Sequence, residues 1–363
     1  MKDEVSARIR SLAESIYQQV VSGEVPYLEV PARTKDNIVF DPLASVWKYG
    51  TSKVVRGAQT TDGAGYLVKA LYVMDFIEEM LSANKSSTLR EMYYISEGWG
   101  HGKFATQDES NMMAEDLEIL LGLLREDMKL RPEENGASVI GNLTVLERNR
   151  KGQMKKINCK DDVGEGGYAI PYNVERDNLV LKDADADLVL AVETGGMFDR
   201  LVENGFDEKF RAIIVHLKGQ PARSTRRLLK RLNEEMHLPI YVFTDGDPWS
   251  FRIYASIAYG AIKTAHISEY LAVPTAEFVG VTASDILNYD LPTDKLNEKD
   301  IAALHAELSD PRFQTEFWRQ EIETMLSINR KAEQQALAKY GLDYVTDTYL
   351  PEKLGSSGGD LHA

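Results

Sequence analysis

Asp187-Leu-Val-Leu-Ala-Val-Glu193-Thr-Gly-Gly196 and Pro239-Ile-Tyr-Val-Phe-Thr-Asp245-Gly-Asp247 are the two stretches on which the fold turns. Each is an apolar run of strand length that ends in a carboxylate and is followed by a helix-like stretch. Unbroken apolar runs of this kind belong to parallel strands covered on both faces. The C-terminal ends of such strands form the crevice where ligands bind. Glu193, Asp245 and Asp247 are therefore expected to meet at one edge of a sheet. Three carboxylates with little positive charge nearby call for a hard cation, and an all-oxygen set suits Mg²⁺. Asp-Gly-Asp alone is also an ordinary turn. The second strand end at Glu193, and Gly195-Gly196 where backbone can approach a ligand, turn the reading toward a metal site for phosphate chemistry.

Outward from these stretches the pattern alternates. Strands are expected at 188–192, 212–215, 240–243 and 278–281, with helices after Gly196 and at 224–236 and 249–264. This order predicts an α/β fold with a parallel, Rossmann-like sheet and crossover helices. Residues 297–344 read as further helices, and 356–363 as a disordered tail. Upstream, Leu67, Leu71, Met74, Ile77 and Leu81 recur at helical spacing. Ser86 or Ser87 offers an N-cap for a helix carrying Leu89-Arg-Glu-Met-Tyr-Tyr-Ile95. A third helix, at 109–127, would bury Met113, Leu117, Leu120, Leu121 and Leu124. Strand-like alternation over 137–146, a basic turn around Gly152 and a second strand at 154–157 complete this region. Three helices and then a basic hairpin is the order of a winged helix. Residues 1–66 read as a helix at 5–22 and an extended arm.

Composition narrows the function. The 363 residues are 43% hydrophobic and 27% charged, an ordinary globular balance with room for two or three domains. A single cysteine, Cys159, excludes an intramolecular disulfide and a cysteine zinc site, and fits a reducing cytosol. No apolar signal region opens the sequence and no run approaches a membrane span, so a cytoplasmic location without a membrane partner is expected. A net charge of −15 opposes general nucleic-acid binding. Two basic clusters cut against that: one with Arg148, Arg150 and Lys151, the other with Arg223, Arg226 and Arg227. Each is either a solvated face or a local seat for a phosphate backbone. Gly98-Trp-Gly-His-Gly-Lys103 resembles a phosphate loop, but Glu97 and Phe104 stand where Gly and Ser or Thr are required. The six histidines show no paired metal spacing.

Tyr93 and Tyr94 sit side by side on the second helix. Such a pair is most often one core and one half-exposed ring. The alternative is a phenol that attacks phosphorus; a free phenol ionises near pH ~10 and needs a neighbouring cation or base. Arg90, one turn before Tyr94, supplies positive charge.

Five segments in one order carry a family resemblance: Arg90-Glu-Met-Tyr-Tyr94, Val139-Ile-Gly-Asn-Leu143, Glu193-Thr-Gly-Gly196, Lys218-Gly-Gln-Pro-Ala-Arg-Ser-Thr-Arg226 and Thr244-Asp-Gly-Asp-Pro-Trp249. The chain resembles the A subunits of topoisomerase VI, the archaeal type IIB enzyme related to the meiotic double-strand-break transesterase, over nearly its whole length. The resemblance implies a winged-helix domain at 67–160 bearing the nucleophile and a Toprim domain at 170–355 holding Mg²⁺. Residues 1–66 would contact the dimer partner or the B subunit. Tyr94 would be the nucleophile, with Arg90 and Glu193 as further catalytic residues, and Glu193, Asp245 and Asp247 the metal set.

The resemblance also implies an ATP-dependent enzyme. Tyr94 would form a transient phosphotyrosyl break through which a second duplex passes, relaxing and decatenating DNA. The implied partners are double-stranded DNA, a second copy of the chain, and an ATPase B subunit in an A2B2 heterotetramer associated with the nucleoid. In the dimer, the tyrosine of one protomer would work with the metal site of the other. Two alternatives stay open: a break-forming transesterase without strand passage, and a non-catalytic DNA-binding scaffold.

Overall fold

A computed structural model describes residues 2–132 and 137–357 and divides the chain into two compact units. The first comprises 2–39 and 49–132. Helix α1 (Lys2–Val21) buries Val5, Ile9 and Ile16 at helical spacing. Strands β1 (Tyr27–Pro31) and β2 (Lys53–Gly57) pair antiparallel. Helix α2 (Thr61–Ala83) starts where Thr60 Oγ1 accepts the Gly63 N–H at 3.1 Å and stops at Asn84, whose φ of 50° leaves the helix. Glycine is required at 63, because a Cβ there would fall 1.9 Å from the Gly57 carbonyl oxygen. Helices α3 (Leu89–Ile95) and α4 (Gln107–Leu121) complete the unit. Val5, Ile9, Leu28, Val73, Ile77, Met92 and Leu117 belong to one continuous core. Of the helix and extended arm expected over 1–66, residues 2–39 and 49–66 thus lie in one unit with the helices after them, and Val5, Ile9, Ile16 and Leu28 enter its core. The Arg8 Nη1 donates to the carbonyls of Leu121 and Gly122 at 3.0 and 2.9 Å, tying α1 to the end of α4.

The second unit comprises 40–48 and 137–357. Its strands are β3 (Ser138–Ile140), β4 (Leu143–Arg148), β5 (Met154–Asn158), β6 (Tyr168–Ala169), β7 (Leu179–Ala184), β8 (Leu188–Val192), β9 (Ala212–His216), β10 (Ile240–Phe243) and β11 (Glu277–Gly280). The main sheet runs β6-β3-β9-β8-β10-β11, with β9, β8, β10 and β11 parallel. Helices α5 (Gly195–Glu203), α6 (Arg223–Met236), α7 (Pro248–Tyr259) and α8 (Ala283–Asn288) come after the four parallel strands in turn. Alternate side chains of a strand point to opposite faces, and here each face meets its own core. Val189 and Ala191 pack with Leu228 and Leu232 of α6 and with Phe251 and Tyr254 of α7. Leu188, Leu190 and Val192 pack with Phe198 and Leu201 of α5 and Ile286 of α8. The doubly wound α/β fold read from the apolar runs is therefore present. Helices α9 (Glu298–Glu307), α10 (Glu316–Ile328) and α11 (Leu350–Ser357) supply the extra helical layer.

The basic hairpin β4–β5 falls elsewhere than expected. Its strands form a three-stranded antiparallel sheet with β7, and Leu143, Val145, Leu179 and Leu181 enter the same core as Val189 and Ala191. The hairpin thus shares the core of the parallel-sheet unit. Of the tail expected at 356–363, the first two residues continue α11 and the rest lie outside the described residues. No helix among the described residues is long and apolar enough to cross a membrane.

Candidate active site

Strand β8 has β9 on one side and β10 on the other, so the direction of winding reverses between β8 and β10. That reversal opens a crevice at the C-terminal ends of the two strands. Glu193 comes directly after β8, and Asp245 and Asp247 come after β10. Backbone donors fix each of the three, and one of them joins Glu193 to Asp245. Glu193 Oε2 accepts the Asp245 N–H at 3.0 Å, Asp245 Oδ1 accepts the Gln334 N–H at 2.8 Å, and Asp247 Oδ1 accepts the Ser250 N–H at 2.8 Å as N-cap of α7. Each carboxylate is thereby fixed by one oxygen. Burial raises the Glu193 pKa from its ordinary value. Burial, then repulsion from Glu193, Asp247 and Glu333, pushes Asp245 up to about 7, against the pull of the Gln334 N–H. Among the described residues no Lys or Arg forms an ion pair with any of the three; Lys331 is taken by Asp300 at 2.9 Å.

An uncompensated, mutually repelling carboxylate set fits a divalent cation chemically. Among the described residues, however, no group of three His, Cys, Asp or Glu side chains is placed so that it could hold a metal ion.

Gln334 was not anticipated from the sequence. It is fully buried, its Nε2 donates to the Phe243 carbonyl at 3.0 Å, and its Oε1 accepts from Thr194 Oγ1 at 3.1 Å. It thus links the ends of β8 and β10. It reaches Asp245 from 89 positions away, and the Ala332–Gly246 bridge brings it there. No local pattern signals such a contact.

The tyrosine pair lies in the first unit. Thr88, not Ser86 or Ser87, caps α3: its Oγ1 accepts the Glu91 N–H at 3.0 Å while Glu91 Oε2 accepts the Thr88 N–H at 2.7 Å. This capping box fixes a helix of only seven residues, too short to stand on propensity alone. On it Met92 is buried, Tyr93 half-buried and Tyr94 57% exposed. Tyr94 is therefore the more exposed phenol of the pair. The Arg90 guanidinium lies over its ring, 6.0 Å from the centroid. Both border an open cleft of about 520 Å³ together with Tyr93, Gln107 and Asn111. The nearby Gly98–Lys103 loop is a packing device: Trp99 stacks on Tyr72 at 5.5 Å, and a Cβ at Gly102 would meet that tyrosine ring at 2.3 Å.

The basic residues separate. Arg150 and Lys151 are exposed at the β4–β5 turn. Arg148 is held by the carbonyls of Asp177 and Gly152 at 3.0 and 2.8 Å. Arg227 pairs with Glu175 at 3.1 Å and lies 3.8 Å from the centroid of the Tyr270 ring, so it is committed to the protein. Arg223 and Arg226 lie in the first turn of α6, where Arg226 is buried.

Family models match three consecutive stretches. Residues 66–130 match a type IIB DNA topoisomerase domain, 133–185 the all-beta domain of the DNA topoisomerase VI alpha subunit, and 188–354 the Toprim domain of the topoisomerase 6 A subunit/Spo11. The type 2 DNA topoisomerase 6 A subunit of Archaeoglobus fulgidus is 61% identical over 347 residues, which is 96% of each chain. This chain belongs to the family of topoisomerase VI A subunits. The protein of the same name from Natronomonas pharaonis is 56% identical over 360 residues, 98% of this chain and 97% of the relative. That from Methanosarcina acetivorans is 54% identical over 352 residues, 97% and 94% respectively. The parallel strands β8–β11 fall in the family's Toprim domain, and β3–β7 fall in its all-beta domain. The enzyme class is type IIB DNA topoisomerase.

Proposed function

We propose that this protein cuts and reseals double-stranded DNA with Tyr94 as nucleophile and Mg²⁺ held by Glu193, Asp245 and Asp247. The observation that carries the reading is the exposed Tyr94 on its capped helix, with the Arg90 cation over the ring. Tyr94 Oη forms a bond to a backbone phosphorus and gives up its proton. The bond from phosphorus to a deoxyribose oxygen breaks, and that oxygen takes up a proton. The phosphotyrosyl link keeps the energy of the broken ester, so the reverse attack reseals the strand. Arg90 supplies positive charge near the phenol and the incoming phosphate. Mg²⁺, when bound, supplies positive charge at the phosphate and anchors the broken end. The Glu193 carboxyl, raised by burial, is suited to hold or release a proton there.

Strand passage then needs a second activity. We assign ATP hydrolysis to a B subunit in an A2B2 assembly, in which two copies of this chain make the paired cuts. Arg150 and Lys151 on the exposed turn are available to a DNA backbone. The test is a denaturing quench of the protein with supercoiled DNA and Mg²⁺, with and without a partner ATPase. Covalent protein–DNA adducts that vanish in Tyr94→Phe are expected. Adducts that survive that change would refute the assignment.

A further inference from the structure

Arg226, in the first turn of α6, carries a positive charge that no acidic side chain or carbonyl among the described residues answers. Strand β9 ends at His216, and a turn through Lys218 and Gly219, with φ of 61° and 72°, leads into α6. That turn is tied to the carboxylate edge: the N–H of Leu217 donates to the Val192 carbonyl at 2.8 Å, and that of Gly219 to the Glu193 carbonyl at 3.0 Å. The N-cap of α6 is Ala222, which offers no side-chain acceptor, so the first backbone N–H groups are left without a capping oxygen. The helix has 14 residues, enough to develop a positive N-terminal end.

Two buried side chains in that turn are also unsatisfied. Thr225 is 0% exposed and its Oγ1 has no hydrogen-bond partner among the described residues. Arg226 is 6% exposed; its Nε is buried without a partner, and its guanidinium makes no hydrogen bond or ion pair among the described residues. The other buried arginine of the same helix shows what a structural role looks like. Arg231 pairs with Glu235 at 2.7 Å and donates to the carbonyls of Val174 and Leu179. Side chains of a helix lean toward its N-terminus, which directs position 226 toward the first turn. Burial and the neighbouring Arg223 lower the Arg226 pKa to about 10, which leaves it charged at neutral pH. A buried cation beside the positive end of a helix dipole is unfavourable unless an anion joins it.

We propose that the N-terminus of α6, with Arg226 and Thr225, seats one phosphate group of the DNA backbone. This rests on the reading of the chain as a DNA-cleaving subunit, and it adds a phosphate contact one strand away from Glu193. Helix N-termini with a cationic side chain are suited to tetrahedral oxyanions.

The test uses the full chain, Arg226→Met, Arg226→Lys and Thr225→Val. Thermal unfolding is followed in inorganic phosphate and in chloride at equal ionic strength, and duplex binding is followed against salt. The wild type is expected to be stabilised by phosphate beyond chloride. Arg226→Met should lose that response and, without phosphate, unfold no earlier than wild type, because an unanswered charge has been removed. Its slope of log affinity against log salt should fall by about 0.9, the contribution of one phosphate. Arg226→Lys should keep the slope. Thr225→Val, which keeps the volume, should fold and show a weakened phosphate response, so it decides the matter if Arg226→Met does not fold. A wild type indifferent to phosphate, or variants that respond as fully as wild type, would overturn the seat. Phosphate stabilisation without duplex binding would leave the seat intact, assign it to free phosphate, and refute the DNA reading instead.

Discussion

Asp247 holds two roles that substitutions can separate. It caps α7 through the Ser250 N–H, and it stands in the carboxylate cluster. Replacing an Asp N-cap with Ala costs about 1 kcal/mol, whereas Asn caps about as well as Asp. Both changes remove a negative charge that helps push Asp245 up to about 7. Each pH unit by which Asp245 falls back is worth about 1.4 kcal/mol to the metal-free protein. Without metal, Asp247→Asn should therefore be at least as stable as wild type, and Asp247→Ala about 1 kcal/mol below Asp247→Asn.

Added Mg²⁺ should reverse the order. Metal at about 100 times its dissociation constant stabilises the wild type by roughly 2.7 kcal/mol, and a variant lacking one oxygen ligand gains less at the same concentration. Urea unfolding at pH 7.5 with and without Mg²⁺ reads stability, and the Mg²⁺ midpoint of DNA cleavage reads the site. Equal metal-free stability of the Asn and Ala variants would refute the cap argument. An unchanged Mg²⁺ midpoint in both would remove Asp247 from the metal set.

Tyr94→Phe should abolish covalent adducts while leaving the unfolding midpoint within about 0.5 kcal/mol, since the exposed hydroxyl is all that is lost; adducts lost only in Tyr93→Phe would reverse the choice. Glu307 is 1% exposed, with Oε1 on Arg252 at 2.8 Å and Oε2 buried without a partner, and burial pushes its pKa up to about 8. Its folded pKa lies above the unfolded value of about 4.3, so its stability contribution is full below that pH and declines as pH rises to about 8. Urea midpoints should fall from pH 5 to 8, and Glu307→Gln should flatten that slope; an equally steep slope in the variant would show that Glu307 is not its source. Mixing Tyr94→Phe with Glu193→Ala chains, once subunit exchange is demonstrated, should yield nicked circles from two inactive parents; no nicking would place both residues' action in one protomer.

The doubly wound sheet was legible because its central strand is buried at all five positions and reads as an unbroken apolar run. The carboxylates were legible because Glu193 directly follows one such run and Asp245 and Asp247 lie in the turn after the other. The grouping of the hairpin was not. A basic hairpin after three helices satisfies a winged-helix order whether it packs on those helices or elsewhere, and only Leu143 and Val145 in the core with Val189 decide for the parallel-sheet unit. The cap of α3 was displaced by one or two residues for a local reason: Ser86, Ser87 and Thr88 can all accept a helix N–H, and Thr88 alone has Glu three residues on to close the box.

The arginines of α6 show where sequence reading stops in principle. Arg223, Arg226, Arg227 and Arg231 form one basic run, and charge alone gives them one expected role, a phosphate backbone. The structure gives them different fates, because a cation's role is fixed by what faces it. Arg227 meets Glu175 and the ring of Tyr270, and Arg231 meets Glu235 and two carbonyls. Of these partners only Glu235, one turn along from Arg231, is visible locally; Glu175 and the carbonyls of Val174 and Leu179 come from the segment around β7, some fifty residues away. Arg226 meets none of them. A cluster of like charges is thus resolved by subtraction: cations answered within the fold are structural, and a buried one left unanswered marks where an anion belongs.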